Sequence, residues 1–308
     1  MVDEEEKYSI VSQCLNKWNT EDKKTIYFAE NFDEWIEQIP QEILDTVLIL
    51  LESFEYYSQE KVNVFLWELH QKLKALPDFS EDSAVYTHIP SRNGIENSSI
   101  DYLYSYKGLN GLEKYHLVID LSTYVKKSAE EYEKINHVVV IDDFCGSGKT
   151  FITFLTNNSA IFNGKTIDYV ITYMMNEARL NITKAASELN LCINIICINE
   201  GNKAFELLEN TDEKRMEFVE FSRKIGICKN YHLGYTGSEA LVSFYNDTPN
   251  NTIGIFWCDT PLYFSIFPRD TAHPSSENKR PTPKDMKQQK KERNKQNYYI
   301  AKRSALNG

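Results

Sequence analysis

Between Val138 and Thr150 the chain reads Val-Val-Val-Ile-Asp-Asp-Phe-Cys-Gly-Ser-Gly-Lys-Thr, and the residue types capable of chemistry are concentrated there. Glycines let a backbone approach an anion closely, and a new helix offers unbonded N–H groups and the positive end of its dipole. The run Cys145-Gly146-Ser147-Gly148-Lys149-Thr150 therefore reads as a phosphate cradle. Two carboxylates at a strand tip can accept hydrogen bonds from two vicinal hydroxyls. Asp142 and Asp143, one sugar-length before the cradle, suit a ribose 5-phosphate.

A Walker loop, G-x-x-x-x-G-K-[ST], competes for the same residues, since Gly148-Lys149-Thr150 fits its end. The place of its first glycine is taken by Asp143, whose carboxylate would face a triphosphate with no compensating charge. The Walker reading fails on that residue.

The elements around the motif must hold it. Short apolar runs at Ala84–Ile89, His116–Leu121, His137–Ile141, Ile167–Met174 and Ile193–Ile198 read as strands. Helical stretches at Lys149–Thr156 and Ala178–Leu189 separate the last three, which predicts βαβ units and a parallel sheet buried on both faces. Ligands of open α/β sheets bind where the strands end. The residues to read there are Ser91-Arg92-Asn93-Gly94, the Asp142–Gly148 stretch, Asn176-Glu177 and Asn199-Glu200-Gly201. Asn176, Glu177 and Glu200 lie at the edge where a ligand would bind, with a helix start as the alternative role of Glu177. Cys145 is either a thiolate favoured by a helix N-terminus or a small filler.

Upstream, residues 8–76 look helical. Val62, Phe65, Leu66, Leu69, Leu73 and Leu76 make one apolar stripe, with Ser58 as N-cap and Pro77 as stop. Pro40 separates an apolar segment at Phe32–Ile39 from a helix expected over Gln41–Tyr57. Tyr231–Arg269 reads as irregular structure capping the sheet, in which Trp257, Tyr263 and Phe264 either stack on a base or form core. The expected organisation is a helical region over 1–78, an α/β core with its cap over 79–270, and a basic, disordered tail over 271–308.

The 308 residues are 42% apolar and 26% charged, which excludes a wholly disordered or collagen-like chain. The net charge of −11 is unevenly spread. Residues 271–308 hold ten Lys and Arg against three Asp and Glu, leaving 24 basic against 42 acidic residues in the rest. A body that acidic repels nucleic acid, so such a partner would need the tail, which is otherwise a solvated arm. The six cysteines form no C-x-x-C pair, which leaves zinc and disulfide frameworks unsupported. The longest aliphatic run, Val47–Leu51, is far short of a membrane span, and Met1 is followed by acidic residues rather than a basic signal region. A cytoplasmic protein with no membrane contact is expected.

Residues 138–150 resemble the PRPP-binding motif of type I phosphoribosyltransferases: apolar strand, two acids, then small residues and a hydroxyl. Phe144 and Lys149 depart from its small residues. A wider resemblance takes in Leu233-Gly-Tyr, Glu239-Ala-Leu, Thr248-Pro-Asn-Asn-Thr-Ile-Gly-Ile-Phe-Trp and Phe267-Pro-Arg269. On these blocks the chain resembles the conflict-associated phosphoribosyltransferase-like family, PRTase-CE, over roughly residues 30–270. The resemblance implies a type I phosphoribosyltransferase-like α/β fold, with Asp142 and Asp143 on the ribose and Phe144 to Thr150 forming the phosphate side. It further implies Mg²⁺ carried by the substrate's phosphates and one or both aspartates, and Arg92 on the pyrophosphate. The implied setting is bacterial antiviral defence, in some cases with a retron, and with partners met through the N-terminal helices or the tail. Two roles stay open under it: transfer or cleavage of a ribosyl phosphate, and non-catalytic sensing of PRPP or a nucleotide.

Overall fold

The structure, a computed structural model, describes residues 4–90, 98–112 and 116–269. Four parallel strands, β2 (Ala84–His88), β3 (His137–Cys145), β4 (Thr166–Met175) and β5 (Cys192–Gly201), lie side by side in that order. In the middle of the sheet Val138–Ile141 of β3 and Val170-Ile171 of β4 are fully buried, as apolar strands covered on both faces must be, while β5 at the edge is only partly buried. Successive residues of β4 show the two faces. Tyr169 stacks at 3.8 Å on Phe151 of α8 (Lys149–Asn158). Asp168 instead bonds His137, whose other ring nitrogen meets the Asp78 carbonyl just past α4 (Gln59–Lys74). α4 and α5 (Ser98–Asn110) form one covering layer, and α8 and α9 (Asn176–Glu188) the other.

The run expected as a strand at His116–Leu121 pairs only through Leu117, which bridges Tyr86 on the outer side of β2. α6 (Leu121–Lys127) starts at once, capped by Asp120, so no ladder can extend. Even so, this bridge fixes the topology. From β2 the chain moves outward to Leu117, whereas from β3 it moves the other way to β4 and β5. The winding therefore reverses between β2 and β3, and at such a reversal the strand ends open into a crevice.

A second core lies beside the sheet. It joins α1 (Glu4–Trp18), α2 (Lys23–Ile36) and α3 (Gln41–Glu52) to α10 (Thr211–Lys224), Leu241 and the chain from Ile253 to Phe267. The hydrophobic packing thus does not follow chain order: α4 belongs to the sheet core, while α1–α3 pack with residues from the other end of the chain. Asp22 starts α2 through a capping box with Thr25. The helix expected over Gln41–Tyr57 stops at Glu52, because Glu55–Tyr57 form a strand, β1, paired with β6 (Val242–Phe244). No local pattern announces a partner so distant in sequence. Ser58 caps α4 as expected, accepting from the Lys61 amide at 3.3 Å. Among the described residues, no helix is long and apolar enough to cross a membrane.

Candidate ligand site at the sheet switch point

β3 runs four residues past Ile141, so the acidic pair sits inside the ladder rather than after it: Asp142 pairs with Ile171 and Phe144 with Tyr173. Both carboxyls are half-buried at the strand end. Asp142 accepts the Tyr169 hydroxyl at 2.8 Å on Oδ2 and the Asp143 amide at 3.1 Å on Oδ1. The Ser98 hydroxyl at the start of α5 is near enough to favour the ionised Asp143, and the Asp143 carbonyl takes the Thr172 hydroxyl. Burial pushes the Asp142 carboxyl well above the ordinary carboxylate range, the Asp143 charge pushes it further, and the Tyr169 hydrogen bond opposes both. Asp143 is raised by burial and held back by Ser98. The pair therefore favours any ligand or cation that satisfies concentrated negative charge. Beside it, the Tyr102 hydroxyl is buried without a hydrogen-bond partner among the described residues, and both aspartates raise its proton affinity further. Such an orphan group calls for a ligand or an ordered water.

The loop that follows is shaped by close approaches. Gly148 takes a left-handed φ of +79° as N-cap of α8, and a Cβ there would lie 3.0 Å from Ile182 Cγ1 and 3.2 Å from the Ala178 carbonyl. The first intrahelical donor is the Ile152 amide, to the Gly148 carbonyl at 2.9 Å, so the amides of Thr150 and Phe151 sit in the first turn ahead of it. Asn181 of α9 ties down the loop by donating to the Ser147 carbonyl at 3.1 Å. Lys149 and Thr150 are exposed on that first turn. The Cys145 thiol is buried, and burial together with the Asp142 charge pushes it up to about 12, so the residue is a filler and not a thiolate. Phe144 is accounted for by Tyr173, whose ring lies nearly parallel to it at 5.8 Å.

Other expected residues are engaged elsewhere. Asn176 donates to Asn202 at 2.6 Å, Glu177 pairs with Lys203 at 2.9 Å, and Glu200 pairs with Arg179. These three make a polar rim joining β5 to α9. Trp257 and Tyr263 are buried in the second core, where the Trp257 indole donates to the Thr252 carbonyl and Tyr263 bonds Trp35 and the Ile255 carbonyl. Phe264 packs against the same core, so none of the three offers a free face to a base. Arg92 and the tail 271–308 lie outside the described residues. Tyr169, Ser98, Tyr102 and Asn181 were not singled out from sequence, since they reach the motif from three other elements, β4, α5 and α9. For Tyr169 alone a signal existed: a phenol inside an apolar strand needs a hydrogen-bond partner. Among the described residues, no three His, Cys, Asp or Glu side chains gather as a metal cage.

A family model named PRTase-CE matches residues 32–269, most of the chain, covering the sheet, the acidic pair and the second core from Phe32 onward. Comparison with curated proteins and with solved structures gives no match. The parallel sheet flanked by helices agrees with the phosphoribosyltransferase-like architecture that the matched model carries. This chain belongs to the PRTase-CE family.

Proposed function

We propose that the protein binds PRPP or a related ribose-5-phosphate nucleotide at the switch point. The observation that carries this reading is the continuity of Asp142, Asp143, the Gly146–Gly148 loop and the first turn of α8 at one strand end. In this reading the two carboxylates accept the ribose 2- and 3-hydroxyls, and the amides of the loop and helix take the 5-phosphate, aided by Lys149 and Thr150. Arg92 is assigned to the pyrophosphate. Two adjoining carboxylates with raised proton affinity are hard oxygen donors that fit Mg²⁺, which Asp142 and Asp143 would share with the ligand's phosphates. The cation's contribution is to neutralise the pyrophosphate as it leaves.

In transfer or cleavage, the bond from the ribose anomeric carbon to pyrophosphate breaks while an acceptor bonds to that carbon. Positive charge develops on the sugar, and the aspartate pair is placed to stabilise it without any protein nucleophile. The setting of antiviral defence, with a partner protein or nucleic acid, rests on family membership alone.

Calorimetric titration with PRPP and Mg²⁺ tests the reading in the wild type and in Asp142→Asn/Asp143→Asn. Saturable binding in the first and none in the second is the expected result. Pyrophosphate release on incubation then identifies an enzyme, whereas tight binding without turnover identifies a sensor. Binding of ATP instead of PRPP, lost in Lys149→Ala but kept in Asp142→Asn, overturns the proposal in favour of an NTPase loop.

A further inference from the structure

Three sequence blocks far from the acidic pair converge on its loop. Gly146 has the side chain of Asn251, two residues before Ile253 of the second core, directly against it, and an added Cβ would lie 2.2 Å from Asn251 Nδ2 and 3.2 Å from Asn251 Oδ1. That amide is itself held. Its Nδ2 donates to Ser238 Oγ at 3.0 Å and to the Tyr235 carbonyl at 3.3 Å, which fixes which end of the amide is nitrogen. The Asn251 carbonyl accepts Ser238 Oγ at 2.8 Å and the Ala240 amide at 3.1 Å. Gly234, at a left-handed φ of +74°, lets this carbonyl come so close that a Cβ there would stand 1.9 Å away. Glu239 fastens the segment to α10. Buried, it bonds the Phe205 amide and the Arg215 guanidinium at 2.8 Å, and Arg215 lies over the Phe205 ring. Gly234, Glu239 and Asn251 thus act together: two of them place the third.

We propose that Asn251 is a positioning residue that holds the Gly146–Thr150 loop in its ligand-binding conformation, so that ligand affinity depends on the packing of the second core. The affinity side of this claim rests on the phosphate-site reading above; the loop-holding side does not. Removing the Asn251 side chain opens space beside Gly146 and frees the loop to leave the geometry in which its amides converge. A methyl group added at Gly146 collides with the amide from the other side. Gly146 is not among the glycines of positive φ, so alanine is tolerated there on backbone grounds.

The test uses the full chain as Asn251→Ala, Gly146→Ala and the double variant. The first readout is hydrogen exchange of the 145–152 amides without ligand, together with thermal melting. Asn251→Ala should speed exchange in that segment while strands β3 and β4 exchange as before. The second readout is PRPP titration with Mg²⁺. Asn251→Ala should weaken binding about tenfold. Gly146→Ala alone should weaken it more, and the double variant should recover to the Asn251→Ala level because the vacated space admits the methyl. Unchanged exchange in the 145–152 segment of Asn251→Ala, or acceleration spread over the whole chain, overturns the proposal. So does a Gly146→Ala defect that Asn251→Ala fails to relieve. If the wild type binds no PRPP, the phosphate-site reading falls, and the exchange measurements alone decide the role of Asn251.

Discussion

The sheet core is aliphatic at its centre, with Val138–Ile141 against Val170 and Ile171 and rings such as Tyr169 and Phe151 on its faces, whereas the second core is dominated by a lattice of rings. Phe267 stands at the centre of that lattice, stacked on Phe54 at 4.8 Å and on Tyr56 at 5.7 Å, and edge-on to Trp18 at 5.3 Å. Aliphatic side chains fill volume without demanding an angle, while aromatic pairs prefer particular angles and separations. The sheet core carries the groups that suffer from burial, Asp142 and Asp143, at its open end. The ring core carries one fully paired ion, Glu239 with Arg215, beneath the segment that presents Asn251. Chemistry and rigidity are thereby divided: one core exposes a strained polar pair and the other supplies a fixed surface to brace it.

The largest expected effect tests the ring lattice. Phe267→Ala should cost about 3–5 kcal/mol by denaturant unfolding, since the site is closed in by four other rings that cannot collapse into the gap. A loss below about 1 kcal/mol would mean that the lattice relaxes like an aliphatic core, and the contrast between the two would dissolve.

Next in size is the strained pair. Burial raises both aspartates, so the folded chain holds more protons than the unfolded one from the ordinary carboxylate range up to the raised values. Stability from this source is present at acid pH and is lost as pH rises through that window. Asp142→Asn/Asp143→Asn, which mimics the protonated pair, should melt about 2–6 °C above wild type at pH 7, with the gap closing near pH 4. A variant melting below wild type at neutral pH breaks the comparison, because the sheet end would then carry no strain.

The smallest effect sharpens it. Tyr169→Phe removes the one phenol that opposes the rise of Asp142, at a cost of about 1 kcal/mol. The acid limb of PRPP binding, read from titrations across pH, should move to higher pH. An unmoved limb would show that Asp143 alone governs ionisation of the pair.

Much of the sheet was legible in the sequence because β3, β4 and β5 contain β-branched runs and Ser58 caps α4. His137–Ile141, Ile167–Met174 and Ile193–Ile198 all fall inside observed strands. What escaped was everything set by partners distant in the chain. Glu55–Tyr57 looks like the end of a helix until Val242–Phe244 pairs with it, and His116–Leu121 looks like a strand although only Leu117 finds a neighbour. In the site, the acidic pair and its loop were readable because they are contiguous. Tyr169 comes from β4, Ser98 and Tyr102 from α5, and Asn251 from the loop after β6, and nothing in their local spacing points at Asp142 or Gly146. Trp257 and Tyr263 illustrate the converse: rings that might have met a base are consumed by packing.

The pairing of β1 with β6 also has a bearing on synthesis. As the chain leaves the ribosome, the strands of the sheet are all present by Gly201, while α1–α3 still lack Leu241, Ile253, Phe256 and Phe267. At roughly 5–20 residues per second, the apolar faces of the first three helices wait on the order of 10–40 s for the residues that cover them. The nascent protein is therefore at its stickiest along α1–α3, and a chaperone acting on it during translation has these helices as its natural target.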